Sequence, residues 1–78
     1  MDAYLGMICL FGYNFQIRGW MKCEGQLLQI QQYSALFALL GTHYGGNGQT
    51  TFGLPKMAAP MEGMSYQICT QGIFPSRD

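Results

Sequence analysis

Charge is scarce in this chain of 78 residues: 10% are ionic, against roughly 25% in an ordinary globular domain. Arg18, Lys22, Lys56 and Arg77 are balanced by Asp2, Glu24, Glu62 and Asp78, for a formal net charge of zero. No basic stripe exists to neutralise phosphates, which argues against nucleic-acid partners. No window approaches the ~20 apolar residues of a membrane span, so membrane insertion is not expected. The first residues carry an acid, Asp2, in place of a basic n-region, and Gly6 and Gly12 break the apolar run that follows. A secretory leader is therefore not expected, and release by lysis or a dedicated machine is. Cys9, Cys23 and Cys69 form no Cys-x-x-Cys pair. One disulfide with a spare thiol, an intermolecular bridge, or three small buried hydrophobes all remain open. Internal repeats and low-complexity linkers are also lacking.

Apolar residues are abundant instead: 49% of the chain is hydrophobic and 14% aromatic. Residues 1–78 read as a single domain, short enough to bury only a modest fraction of its surface. A monomer of this composition leaves apolar area in water, and such patches mark interfaces. Zero net charge removes the repulsion that keeps copies apart. Self-association is the simplest remedy.

Met7–Phe11 is an apolar run between glycines and predicts a covered strand. Gly12-Tyr-Asn-Phe15 predicts a turn, with Gly12 and Asn14 suited to unusual dihedrals. Gly19–Cys23 predicts a second strand with Trp20 as its anchor, then a hairpin turn at Glu24-Gly25 into a short extended Gln26–Ile30. Tyr33–Leu40 predicts the one helix: Leu36, Phe37, Leu39 and Leu40 form a wide apolar face, and Gly41 stands where a left-handed C-terminal residue belongs. Its start is weakly signalled, and its length is marginal without tertiary packing. Residues 41–55 hold five glycines and predict a long ordered loop returning to extended structure, the kind of segment that carries function. Two prolines and a glycine interrupt 55–64, Tyr66–Thr70 predicts a last strand, and Gly72–Asp78 an extended tail.

Taken in order, several motifs resemble one family. They are Gly6-x-Ile8-x-Leu10-Phe11, Arg18-Gly19-Trp20, Cys23-x-Gly25-Gln26-Leu27-Leu28, Ala35-Leu36-Phe37-x-Leu39-Leu40-Gly41-Thr42, Tyr44-Gly45-Gly46-Asn47-Gly48, Thr50-Thr51-Phe52-x-Leu54-Pro55 and Gln71-Gly72-Ile73-Phe74-Pro75-Ser76-Arg77. The pattern is similar to the phage tail collar domain, including bacterial microcystin-dependent proteins. The resemblance implies a small α+β fold with a few short strands, one short packed helix and long Gly-rich loops. It also implies assembly with copies of itself into trimers or larger assemblies, a ring or a filament among them, a structural or receptor-contact role, and no catalysis. Family members usually continue past Leu-Pro with Asp-Leu-Arg-Gly-Arg and a long segment rich in Gly, Thr and His. Here Lys56-Met-Ala-Ala-Pro60 follows and that segment is missing. The chain thus looks like a minimal collar module without the usual receptor-binding insertion, and metal-binding histidines placed there in relatives do not carry over.

Chemistry is poorly represented. His43 is the only histidine and matches no zinc spacing. Cys23 or Cys69 with His43 would give a nucleophile and a base, but no flanking motif supports the pairing. Gly45-Gly-Asn-Gly48 lacks the Lys-Ser/Thr ending of a phosphate loop. No enzyme activity, cofactor or metal is expected. Arg18 and Trp20 read as structural anchors with Phe37, Arg18 bonding backbone carbonyls of its loop. Met57, Met61 and Met64, with Ile73 and Phe74, read as an oligomer interface, since methionine adapts to partner surfaces and an apolar tail adds to a neighbour. The expected role is a self-assembling structural subunit of a phage tail, a tail-derived particle or an extracellular filament. Other tail proteins are possible partners, and the place is a virion or extracellular particle. The alternative is a small binding module gripping a host glycan or small ligand through Thr42–Thr51, with His43, Tyr44 and Asn47 as contacts.

Overall fold

The computed structural model describes residues 3–76. The elements in chain order are β1 (Ile8–Phe11), β2 (Trp20–Lys22), β3 (Leu27–Gln29), α1 (Ser34–Leu40), β4 (Thr51–Gly53) and β5 (Ser65–Cys69). The strands form two antiparallel sheets, one in the order β1-β5-β2 and one pairing β3 with β4. The fold class is α+β, as the resemblance implies.

β5 is the central strand. Ile68 sits opposite Ile8 on one side and Met21 on the other, and its side chain is fully buried. Side chains alternate across a strand, so Ile8, Ile68, Met21 and Cys23 share the face that meets the core. The core joins Leu5, Cys23 and Ile68 to Leu28, Leu36, Phe52 and Leu54. Leu28 of β3 and Phe52 of β4 are register partners and both point inward.

α1 has Tyr33 at its N-cap with no side-chain cap, as the weak start predicts. Leu36 is its buried residue, while Phe37, Leu39 and Leu40 are half-buried against the core. Seven residues are too few to hold a helix in water. Gly41 donates its N–H to Phe37 O at 2.7 Å with φ 57° and ψ −145°. The positive φ is as predicted, but ψ lies far from the left-handed helical value, so the chain leaves α1 in an extended direction.

Two sequence expectations change. Glu24-Gly25 predicts a hairpin between β2 and β3, yet these strands do not pair. The stretch 23–29 instead runs antiparallel to 51–57: Met57 N–H donates to Cys23 O, Glu24 bridges Lys56, Gly25 N–H donates to Pro55 O, and Leu54 N–H donates to Gln26 O. Gly25 takes φ +78°, and the pairing continues through it in one register. The second change concerns Gly12-Tyr-Asn-Phe15, where neither Gly12 nor Asn14 takes a positive φ. That segment lies against the sheet.

Candidate functional site

The buried polar residues of β5 decide the outer face of the three-stranded sheet. Ser65, Gln67 and Cys69 alternate with the core-facing Tyr66 and Ile68, which would ordinarily put them in water. Gln67 is instead 0% exposed. The segment 12–19 crosses this face and every second residue is caught. Ser65 Oγ donates to Tyr13 O (2.7 Å), Gln67 Nε2 donates to Phe15 O (2.9 Å), and Ile17 N–H donates to Gln67 Oε1 (3.2 Å). Gln67 Nε2 also donates to Ser65 Oγ (3.0 Å), linking the anchors. Among the described residues no buried side-chain polar atom lacks a partner. Above the face, Tyr13 stacks on Phe15 with centroids 4.5 Å apart, and Phe11 meets Tyr13 and, edge-on, Trp20.

The glycine loop, residues 41–50, is held from within. Asn47 Oδ1 accepts from the N–H groups of Gln49 (2.8 Å), Thr50 (2.8 Å) and Thr51 (3.1 Å), and Asn47 Nδ2 donates to Thr50 Oγ1. The loop closes on β4, with Gly53 N–H donating to Gly45 O and Gly48 N–H to Thr51 O. Gly46, at φ +89°, packs directly on the backbone of Phe52 and Thr51, where a Cβ has no room. Beside the loop lies an open cleft of about 430 Å³ lined by Gln29, Ile30, Gln31, Gln49, Thr50 and Thr51.

The sequence-predicted site residues fall in several places. His43 and Tyr44 are exposed on the glycine loop, their rings edge to face at 4.7 Å. Asn47 is also exposed, but its side chain serves the loop's own backbone. Phe37 is half-buried against Phe52, with centroids 5.5 Å apart. Trp20 is half-buried on the outer sheet face, outside the core. Arg18 is exposed, and among the described residues its side chain makes no hydrogen bond to a loop carbonyl; the anchoring expected of it falls to Gln67 and Ser65. The methionines do not form one stripe. Met57 packs on the core, Met64 is half-buried in a cleft of about 240 Å³ that Cys23 and Tyr66 also line, and Met61 is exposed. Ile73 and Phe74 expose about half of their side chains, while Ile73 bridges Tyr4 through the backbone. The tail thus folds onto its own chain and presents its side chains outward. Arg77, the end of the tail motif, lies outside the described residues.

The three thiols are free. Burial pushes Cys23 up to about 11, so it is protonated at neutral pH and a poor nucleophile. Among the described residues no three of His, Cys, Asp and Glu gather in metal-binding geometry, and no helix is long and apolar enough to cross a membrane.

Residues 6–61 match the phage tail collar domain. The chain belongs to that family. The collar domain is a structural domain of phage tails rather than an enzyme family, which ties this chain to a tail-fibre-related structural role. The match spans β1 to β4, the helix and the glycine loop; β5 and the tail lie beyond it. No curated protein and no solved structure matches the chain.

The sheet anchors escaped the sequence reading. Ser65-x-Gln67-x-Cys69 alternates like a solvated strand face, and nothing local says that a segment 50 residues away covers it.

Proposed function

We propose that this collar domain is a self-assembling structural subunit of a phage tail, a tail-derived particle or an extracellular filament. The surface carries the reading. Among the described residues nine large apolar or aromatic side chains are exposed, on a chain with only 10% ionic residues. Tyr4, Ile73 and Phe74 lie together where the tail bridges the N-terminal segment. Phe74 and Pro75 also line an apolar cleft of about 590 Å³ with Ala38 and Leu39 of α1. Met61, with the outward parts of Met57 and Met64, extends the candidate interface. Burying a few hundred Å² of apolar area contributes several kcal/mol at about 25 cal/mol per Å². That is comparable with the ~4–15 kcal/mol cost of association, so more than one contact per subunit is needed for a stable particle. Other tail proteins are the natural further partners, and the virion the natural place.

Size-exclusion chromatography with light scattering, followed by negative-stain microscopy, tests this. Rings, filaments or small oligomers at micromolar concentration are expected. A folded monomer at high concentration overturns it.

One observation favours a second reading. The cleft beside the glycine loop offers the amides of Gln29, Gln31 and Gln49 and the hydroxyls of Thr50 and Thr51, a set suited to a neutral polyhydroxylated ligand. A glycan-binding module would use this cleft, with His43 and Tyr44 at its approach. Glycan titration of the wild type and of Gln49→Ala checks it, with binding to the wild type and loss in the variant expected.

A further inference from the structure

The outer edges of the two sheets are treated unequally. In an antiparallel ladder, alternate residues turn their N–H and C=O toward one neighbour and then the other. Cys69 N–H donates to Met7 O, which fixes the phase: Met7, Cys9 and Phe11 face β5, while Ile8 and Leu10 face outward. Cys23 N–H donates to Tyr66 O in the same way, so Trp20 and Lys22 face outward from β2. The β2 edge is blocked. Trp20 N–H donates to Ile17 O, Lys22 N–H donates to Gln16 Oε1, and Gln26 Nε2 donates to Lys22 O. The β4 edge is covered by the glycine loop; at the β3 edge Gln29 O accepts from Gln32 and Tyr33, which among the described residues leaves only Leu27 with both of its outward groups unbonded. At β1, by contrast, no hydrogen bond among the described residues reaches the N–H or C=O of Ile8 or Leu10. Four adjacent backbone groups stand open. Natural edges are usually guarded by charge, proline or a bulge; here residues 3–17 contain no charged residue and no proline.

We propose that the β1 edge pairs antiparallel with β1 of a second copy, joining two three-stranded sheets into one of six strands. This rests on the self-association proposed above and names its surface. The occupant is a second copy because a two-fold contact brings each residue near its own mate. Any charge at this edge would then meet its like, and none is present across residues 3–17. The register follows from the open groups. Placing Ile8 opposite Leu10 of the second copy, and Leu10 opposite its Ile8, uses all four groups of each strand in four hydrogen bonds. Centring on Ile8 would require Gly6, whose N–H already donates to Cys69 O. In the chosen register Cys9 faces its own mate as a non-hydrogen-bonded pair, with Cα atoms about 4.5 Å apart. That is within the ~4.4–6.8 Å span of disulfides. Cys9 is half-exposed, whereas Cys23 and Cys69 are buried.

The test is mild oxidation of the full chain with diamide, which takes two electrons and two protons from a thiol pair, read on a non-reducing gel and by light scattering. Wild type and the Cys23→Ala and Cys69→Ala variants are expected to give a covalent dimer, and Cys9→Ser none. Cys9→Ser is expected to keep the mass of the unoxidised wild type. Leu10→Pro removes an outward N–H and is expected to lower the particle mass at least twofold with circular dichroism unchanged. If Leu10→Pro unfolds, the Cys9 cross-link decides alone. Association without a Cys9 cross-link overturns the β1 pairing and leaves the structural-subunit reading standing. Absence of association in every form overturns both.

Discussion

The loops 12–19 and 41–50 are both long, both lie on the surface and are held by opposite means. The first is fastened from afar: Ser65 and Gln67 reach it across about 50 residues of sequence and catch Tyr13, Phe15 and Ile17 in turn. The second is fastened by its own residue, Asn47, whose carbonyl oxygen gathers three successive N–H groups within four positions. A loop tied to a sheet centre shares the cooperativity of the sheet. A loop tied to itself keeps its shape while neighbouring contacts change, which suits a surface that meets partners or ligands.

The largest expected break falls on the second loop, through its backbone rather than its side chains. Gly46→Ala places a Cβ against Phe52 Cα and the Thr51 carbonyl, at φ +89°. Left-handed strain costs about 1–2 kcal/mol, and displacing packed backbone adds a similar amount. A loss of about 3 kcal/mol is expected in urea unfolding. Because Phe52 lies at the bottom of the core, the damage spreads to β3 and β4. A change under about 1 kcal/mol would mean that the loop rides more freely on β4 than its contacts imply.

Gln67→Leu breaks the first loop. It keeps much of the buried volume but removes the amide, and so orphans Phe15 O and Ile17 N–H beneath the aromatic cover. Leaving buried groups unsatisfied costs about 1–3 kcal/mol, so a loss of about 2 kcal/mol is expected. Hydrogen exchange sharpens the comparison: the Ile17 amide is expected to lose protection while those of Thr50 and Thr51 keep theirs. Equal loss in both loops would show that the two do not differ in the way proposed.

The same contrast explains what could be read from the chain. The Gly41–Pro55 loop, the helix and the strands β1, β2 and β5 are legible because their causes are local: glycine spacing, a wide apolar helix face, short apolar runs in β1 and β2, and a weak alternation in β5. The failures share the opposite cause. Glu24-Gly25 has the composition of a hairpin turn, but its groups are taken by Pro55 and Lys56. Arg18 has donors enough to lock its loop, but Gln67 holds that position. At the candidate site, His43 and Tyr44 proved exposed on the loop as a surface segment requires. Asn47, expected as a contact, also staples the loop's own turn, a role that its place among the glycines did not announce.

The smallest expected effect separates those two roles for Asn47. Its three acceptor bonds lie at an exposed site, so in Asn47→Ala the freed N–H groups find water and the loss resembles that of a helix cap, about 1 kcal/mol. Exchange of the Gln49, Thr50 and Thr51 amides is expected to quicken while Ile17 stays protected, the mirror image of Gln67→Leu. Asn47→Asp retains the accepting oxygen, replaces the amide donor to Thr50 Oγ1 by an oxygen to which that hydroxyl can donate, and is expected to restore most of the protection. If Asn47→Ala leaves these amides as slow as in the wild type, the glycine backbone alone sets the loop, and the Asn47 side chain is free to serve a partner after all.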